Sequence, residues 1–152
     1  MELSQAVKNF LQNRGEQKVV FTNGCFDILH KGHVAYLNEA KRQGDLLVVG
    51  LNSDASVKRL KGDPRPFVNE ADRKYVLENL KAVDLVEIFN ENTPLELIKV
   101  IKPDVLVKGG DWSLEQIVGA KKILSCGGKV KNLAFVEGFS TTDIVQNIID
   151  SA

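Results

Sequence analysis

Hydrophobic positions along this chain follow two spacings in alternation. Leu3, Ala6, Val7, Phe10 and Leu11 recur at helical intervals and Gly15 follows as a stop, so residues 1–15 read as a short amphipathic helix. The apolar run at Val19-Val20-Phe21 reads as a strand that enters a polar turn, and Val34, Tyr36, Leu37 and Ala40 mark a helix from about Gly32 to Gly44. Asp45 to Leu51 is too continuously apolar for a half-exposed strand; such runs suit parallel strands buried on both faces. A polar, basic connection from Asn52 to Asn69 leads to a helix through Leu80 and a strand at Leu85–Phe89. Thr93-Pro94-Leu95-Glu96 reads as a capping box with proline at the first helical position, opening a helix to about Ile101. A strand at Val105–Val107, a helix from Ser113 to Leu124, a strand from Val130 to Phe135 and a last helix from Ser140 complete the pattern.

Strands alternating with helices at this spacing indicate βαβ units, hence a Rossmann-like, doubly wound α/β fold with a parallel sheet covered on both faces. No repeat, low-complexity tract or linker divides the chain, so residues 1–152 are expected to form one domain. In such folds ligands bind beyond the carboxyl ends of the strands. That rule gathers Thr22 to His33, Asn52, Lys108 to Trp112 and Ser140 to Thr142 at one rim.

Composition narrows the function. Twenty Lys+Arg balance twenty Asp+Glu, which argues against a nucleic-acid or membrane-surface protein, so anion binding must come from local clustering. No apolar run reaches the roughly 20 residues that span a bilayer, and the N-terminus lacks a signal-peptide pattern, so a cytoplasmic location is expected. Cys25 and Cys126 belong to no CxxC pair, which suits a reducing compartment.

The chemistry concentrates in Thr22-Asn23-Gly24-Cys25-Phe26-Asp27-Ile28-Leu29-His30-Lys31-Gly32-His33. His30 and His33 lie three apart where a helix begins, so both imidazoles can face one ligand, and the helix start adds free N–H groups and a positive dipole. The arrangement reads as a phosphate site. Zinc is disfavoured because no carboxylate or cysteine stands at the usual neighbouring spacing, and no metal site is assigned. A Cys25 nucleophile with His33 as base lacks a third orienting group, so Cys25 reads as a buried turn residue. Neither a Walker A pattern nor Gly-x-Gly-x-x-Gly occurs, which disfavours a P-loop kinase or a dinucleotide-binding dehydrogenase. Between Lys58 and Arg65 four positive side chains accompany one negative, either a solvated loop or a mobile clamp for triphosphate through Lys58, Lys61 and Arg65. Arg73 could join that clamp or form a helix-surface salt bridge. Gly109 and Gly110 let backbone approach a ligand, or make an ordinary turn. Ser140-Thr141-Thr142-Asp143 reads as an N-cap whose hydroxyls and amides could also meet phosphate.

Gly24, Phe26, Asp27, His30, Gly32 and His33 resemble, in register, the Gly-x-Phe-Asp-x-x-His-x-Gly-His signature of cytidylyltransferase-like nucleotidyltransferases. Leu51–Asp54, Lys58–Pro66, Leu106–Trp112 and Gly138–Thr142 are similar to the members that make ADP-heptose, an activity that in many bacteria forms the C-terminal half of a bifunctional protein with a sugar kinase. The resemblance covers the chain from about Lys18 and implies the free-standing form. It implies ATP and a heptose 1-phosphate as small-molecule substrates, with magnesium held largely by substrate oxygens and water, and a homodimer would be in keeping with the family. His30, His33 and Lys58 are then the expected catalytic residues. Thr22, Asn23, Gly24, Cys25, Phe26, Gly32, Asn52, Lys61, Arg65, Lys108, Gly109, Gly110, Asp111, Ser140, Thr141 and Thr142 would hold the nucleotide, and Asp27 and Arg73 the acceptor. Lys108 is placed near phosphate, and Trp112 reads as packing. Related glycerol-phosphate enzymes carry an arginine before a Gly-Ile-Ser-Thr-Thr segment, where this chain has Phe135-Val136-Glu137. Competing readings are a glycerol-3-phosphate or other cytidylyltransferase and a non-catalytic nucleotide-binding module.

Overall fold

A computed structural model describes residues 1–152. Five parallel strands, β1 (Val19–Gly24), β2 (Leu46–Asn52), β3 (Leu85–Phe89), β4 (Val105–Gly109) and β5 (Lys129–Leu133), form one sheet in the order β3-β2-β1-β4-β5. The helices are α1 (Gln5–Asn13), α2 (Lys31–Lys41), α3 (Asp54–Lys61), α4 (Glu70–Glu78), α5 (Leu95–Ile101), α6 (Ala120–Ser125) and α7 (Thr141–Ser151). The architecture is the Rossmann-like parallel sheet that the apolar runs imply.

Successive strand residues point to opposite faces and so build two cores. Val20, Leu47, Val49, Leu51 and Val107 pack with Leu37 and Ala40 of α2 and Leu77 of α4. Val19, Phe21, Val48 and Leu106 pack with Leu97, Ile98 and Ile101 of α5 and Ala120 and Ile123 of α6, with Leu3 and Phe10 alongside. The N-terminal helix is fastened at both ends. Its cap Ser4 donates from N and Oγ to the buried Glu87 carboxylate at 2.9 and 2.7 Å, and Arg14 pairs with Asp104 at 2.8 Å.

Several local expectations change. The connection from Asn52 to Asn69 contains α3, capped by Ser53, whose side chain accepts from the Ser56 N–H. Only Ser56 and Val57 of that helix are buried, so it shows almost no apolar stripe. The helix expected over Ser113–Leu124 is broken into a 3-10 turn at Leu114–Gln116 and α6, because Gly119 between them adopts φ 86°. Thr93 makes no capping bond; Pro94 stands at the start of α5 without one. β5 ends at Leu133, opposite Gly109, and Phe135 leaves the sheet. β5 is largely exposed and α7 buries no residue, so cover is thin at that edge.

Arg73 of α4 is neither a phosphate clamp nor a surface ion pair. Its side chain is 1% exposed, and its guanidinium donates to Val68 O at 2.8 Å, Cys25 O at 2.7 Å, Asn52 O at 2.9 Å and Asp54 Oδ1 at 2.7 Å. One planar fork thereby joins the loop after β1, the end of β2, α3 and the segment before α4. Arg73→Met is expected to cost about 3–5 kcal/mol, as when one partner is removed from a buried ionic cluster. Arg73→Lys should recover little of this, since a point charge cannot reproduce the fork. Urea unfolding measures both; a Met variant within about 1 kcal/mol of wild type, the worth of an exposed pair, would contradict the assignment.

Candidate active site

The strand order reverses at β1. The chain adds β2 and β3 on one side, then crosses to β4 on the other, and doubly wound sheets open a crevice at such a point. The histidine loop follows β1, and Lys108–Trp112 spans the end of β4 and the turn after it, so both stand at this point.

His30 caps α2: its Nδ1 accepts the Gly32 N–H at 3.0 Å, while His33 Nδ1 accepts the His30 N–H at 3.3 Å. The two imidazoles thus replace the usual Ser and Glu of a capping box. A ring nitrogen that accepts an amide N–H carries no proton, so each neutral imidazole keeps its proton on Nε2. The rings stack at 3.8 Å between centroids and 26° between planes. Burial lowers the His33 pKa to about 4, with His30 and the Lys61 ammonium adding to the effect and Asp27 opposing it. Burial lowers His30 as well. Both are uncharged donors at neutral pH. Gly32 is required between them, since a Cβ there would lie 2.8 Å from His30 Cε1 and 2.9 Å from Phe139 Cβ.

The loop leading to this pair is strained. Phe26 and Ile28 adopt φ 47° and 53°, left-handed values that side chains with a Cβ avoid. It is tied down from three directions. Cys25 O accepts from Arg73, the Asp27 carboxylate accepts the Phe67 and Val68 N–H groups at 2.9 and 3.0 Å, and Asp27 O accepts from Thr141 Oγ1 at 2.7 Å. Phe26 packs its ring edge against His33 at 5.4 Å and covers Gly24, where a Cβ would meet that ring at 2.9 Å.

Several expected ligand contacts are therefore committed elsewhere. Asp27 is 3% exposed, holds two amides and faces Arg65 at 3.5 Å, which leaves its carboxylate anchoring the basic segment instead of reading a sugar. Thr22 is buried with its hydroxyl 2.7 Å from Tyr36 Oη, and burial pushes the Tyr36 phenol up to about 12. Asn52 is buried and donates to Ser56 Oγ at 3.0 Å. Lys58 lies in α3 and pairs with Asp63 at 3.4 Å on the exposed surface; Lys61 is the cation whose field reaches His33 and Cys25. Ser140 Oγ accepts the Asp143 N–H as the N-cap of α7. Burial pushes the Cys25 thiol up, against Lys61 and Arg73, so it is a poor nucleophile.

Other expected residues keep solvent-accessible surface. Asn23, Gly24, Gly32, Lys108, Gly109 and Gly110 are half-buried, and Lys61, Asp111 and Thr142 are exposed. Trp112 Nε1 donates to Gly109 O at 2.8 Å, and the Lys108 ammonium lies 5.6 Å from the Trp112 ring. Phe135 and Phe139 were not legible as site residues. The Phe135 ring covers Gly109, where a Cβ would lie 2.7 Å from its Cε1, and the Phe139 ring lies 6.5 Å from that of His30. Nowhere do three His, Cys, Asp or Glu side chains converge in a metal cage.

The depressed His33 pKa has a consequence for stability. An imidazole that drops from 6.5 to about 4 on folding binds fewer protons folded than unfolded, so its contribution is complete above pH 6.5 and is lost as pH falls towards 4. Urea titrations across that window should show wild type losing stability on acidification more steeply than His33→Ala. Equal slopes would rule out a buried neutral imidazole.

The chain is similar to known proteins in both sequence and fold. The family model described as cytidylyltransferase-like matches residues 21–147. The bifunctional protein HldE of Syntrophotalea carbinolica is 50% identical over 152 residues, covering 99% of this chain and 31% of that protein. HldE of Geobacter metallireducens is 56% identical over 133 residues, covering 88% and 27% respectively. The chain thus spans under a third of the length of these curated relatives. Among solved structures, the lipopolysaccharide core biosynthesis protein from Thermoplasma volcanium superposes with a TM-score of 0.63 at 33% identity, covering 79% of this chain and 97% of that one. Pantothenate synthetase from Thermus thermophilus reaches a TM-score of 0.58 at 16% identity, covering 86% and 60%, a likeness of fold alone. The matched span runs from within β1 into α7 and encloses the stacked histidines, and the chain belongs to the cytidylyltransferase-like family of nucleotidyltransferases.

Proposed function

We propose that this chain transfers AMP from ATP to D-glycero-beta-D-manno-heptose 1-phosphate, giving ADP-heptose and pyrophosphate for lipopolysaccharide core synthesis. The observation that carries the reading is the His30–His33 capping box, which presents two neutral Nε2–H donors at the carboxyl rim beside Lys61. The relatives named HldE and the lipopolysaccharide core biosynthesis protein support the choice of substrate class.

A sugar phosphate is already an anion at neutral pH, so its attack needs neither a strong base nor a covalent enzyme intermediate. An oxygen of the heptose phosphate forms a bond to the α-phosphorus of ATP as the bond from that phosphorus to the α,β-bridging oxygen breaks, and pyrophosphate leaves with the electron pair. The site has to align the two phosphates and stabilise charge that develops on them. His30 and His33 donate to α- and β-phosphoryl oxygens from Nε2, and the α2 N-terminus adds its dipole. Lys61 takes the place expected of Lys58, since Lys58 is turned to Asp63. The Gly109-Gly110 backbone and Lys108 border the nucleotide. Magnesium would enter with ATP as part of the substrate, where it would neutralise phosphate charge, since the one carboxylate of the histidine loop, Asp27, is engaged by the Phe67 and Val68 amides.

Pyrophosphate release measured with ATP or CTP, each with heptose 1-phosphate or glycerol 3-phosphate, is expected only for ATP with the heptose phosphate. Release with CTP and glycerol 3-phosphate would establish the other transferase, and saturable ATP binding without release from any acceptor would establish a binding module. His33→Ala is expected to lower turnover by about 10²-fold or more with its circular dichroism unchanged, the size of one lost transition-state donor. A folded variant with undiminished turnover would remove His33 from the mechanism.

A further inference from the structure

The amino end of the sheet, opposite the histidine pair, carries a second concentration of charge. Lys18, Lys99, Lys102, Lys122 and Lys129 line a cavity of about 370 Å³, a volume within the roughly 300–1,000 Å³ of small-molecule sites. The chain has no net charge, so five lysines around one cavity are a marked local excess. Lys99 is partnered by Glu96 at 2.8 Å. Asp104, the one carboxylate in the lining, is taken by Arg14 and the Val19 N–H, each at 2.8 Å. Lys18, Lys102, Lys122 and Lys129 have no carboxylate within ion-pair distance.

Complementing helix dipoles explains only some of these positions. Lys99 and Lys122 stand in the last turns of α5 and α6, where a cation is favoured. Lys18 and Lys129 stand at the starts of β1 and β5, outside any helix, and still converge on the same space. The helix-end carbonyls do not compete for the lysines, because Ile98 O accepts from the Lys102 N–H and Ile123 O from the Cys126 and Gly128 N–H groups. Lys102 itself adopts φ 50° and ψ 59°, a left-handed cap normally given to glycine or asparagine, yet a lysine occupies it on the cavity rim. Ile98, Val105 and Ile123 also line the cavity and, with the methylene stems of the lysines, form its apolar floor.

We infer that this cavity is a second ligand site, which takes a small phosphorylated molecule with a compact apolar body, at the end of the sheet remote from the transfer site. Lysines bind phosphate as point charges, and the apolar floor selects against the inorganic ion. The inference does not depend on which nucleotide or acceptor the transfer site uses.

Cys126 is exposed on the cavity lining and gives a local reporter. The probe is 1-naphthyl phosphate at millimolar concentration, and the readout is the iodoacetamide labelling rate of Cys126 by peptide mass spectrometry. Slowing of Cys126 by several-fold is expected. In the Lys18→Glu/Lys129→Glu variant, which changes only exposed side chains, that slowing relative to the same variant without probe should vanish. Unchanged Cys126 labelling, or equal protection in the variant, would overturn the site. Equal protection by 1-naphthol or by inorganic phosphate would overturn the paired recognition of apolar body and dianion.

Discussion

The site depends on a short loop held where it would not rest by itself. Phe26 and Ile28 both sit at left-handed φ, which costs on the order of 1–3 kcal/mol each. That cost is offset by ties from outside the loop: the Arg73 guanidinium on Cys25 O, the amides of Phe67 and Val68 on the Asp27 carboxylate, and the Thr141 hydroxyl on Asp27 O. Each tie comes from a different later segment. The loop therefore reaches its shape only when α4, the segment before it and the α7 cap are all in place, and the histidines that follow are oriented by the assembled fold.

The same arrangement determines what kind of donor the site presents. Because each Nδ1 is occupied by a backbone N–H, a protonated imidazole would face that amide with a second N–H, and burial adds to the penalty. The site thus holds neutral donors that need no counter-ion. In the proposed reaction a triphosphate would bring its own charge, and Lys61 and the α2 dipole would answer it. Separating hydrogen-bond donation from net charge lets a protein of zero overall charge keep a polyanion site without burying unpaired cations.

The parts of this design that were legible in the chain are those set by local rules. β2 shows because a strand buried on both faces is apolar nearly without interruption, and the histidine pair shows because three-residue spacing at a helix start is itself a geometry. α3 was hidden by having only Ser56 and Val57 buried, and the break before α6 rests on one glycine. Arg73 and Asp27 were misread for a deeper reason. A guanidinium that binds phosphate binds carbonyl oxygens equally well, and a carboxylate that reads hydroxyls also accepts amides. Cys25 lies 48 residues from Arg73, and Phe67 lies 40 residues from Asp27, so only the folded chain decides between ligand and backbone.

The cations at the rim follow a further rule that decides whether they are usable. Lys31 lies 5.4 Å from the Phe139 ring and Lys108 5.6 Å from Trp112. An exposed cation–π contact is worth about 0.5–1 kcal/mol, whereas a hydrogen bond to a charged group contributes about 1.5–3 kcal/mol. A phosphate that arrives within reach therefore outcompetes the ring. Carboxylate partners would have held these side chains just as well but would have cancelled their charge, as Asp63 does for Lys58. Aromatic neighbours keep the ammonium groups of Lys31 and Lys108 near the crevice and leave their charge free, which accounts for exposed Phe139 and Trp112 at a rim where packing alone would bury them.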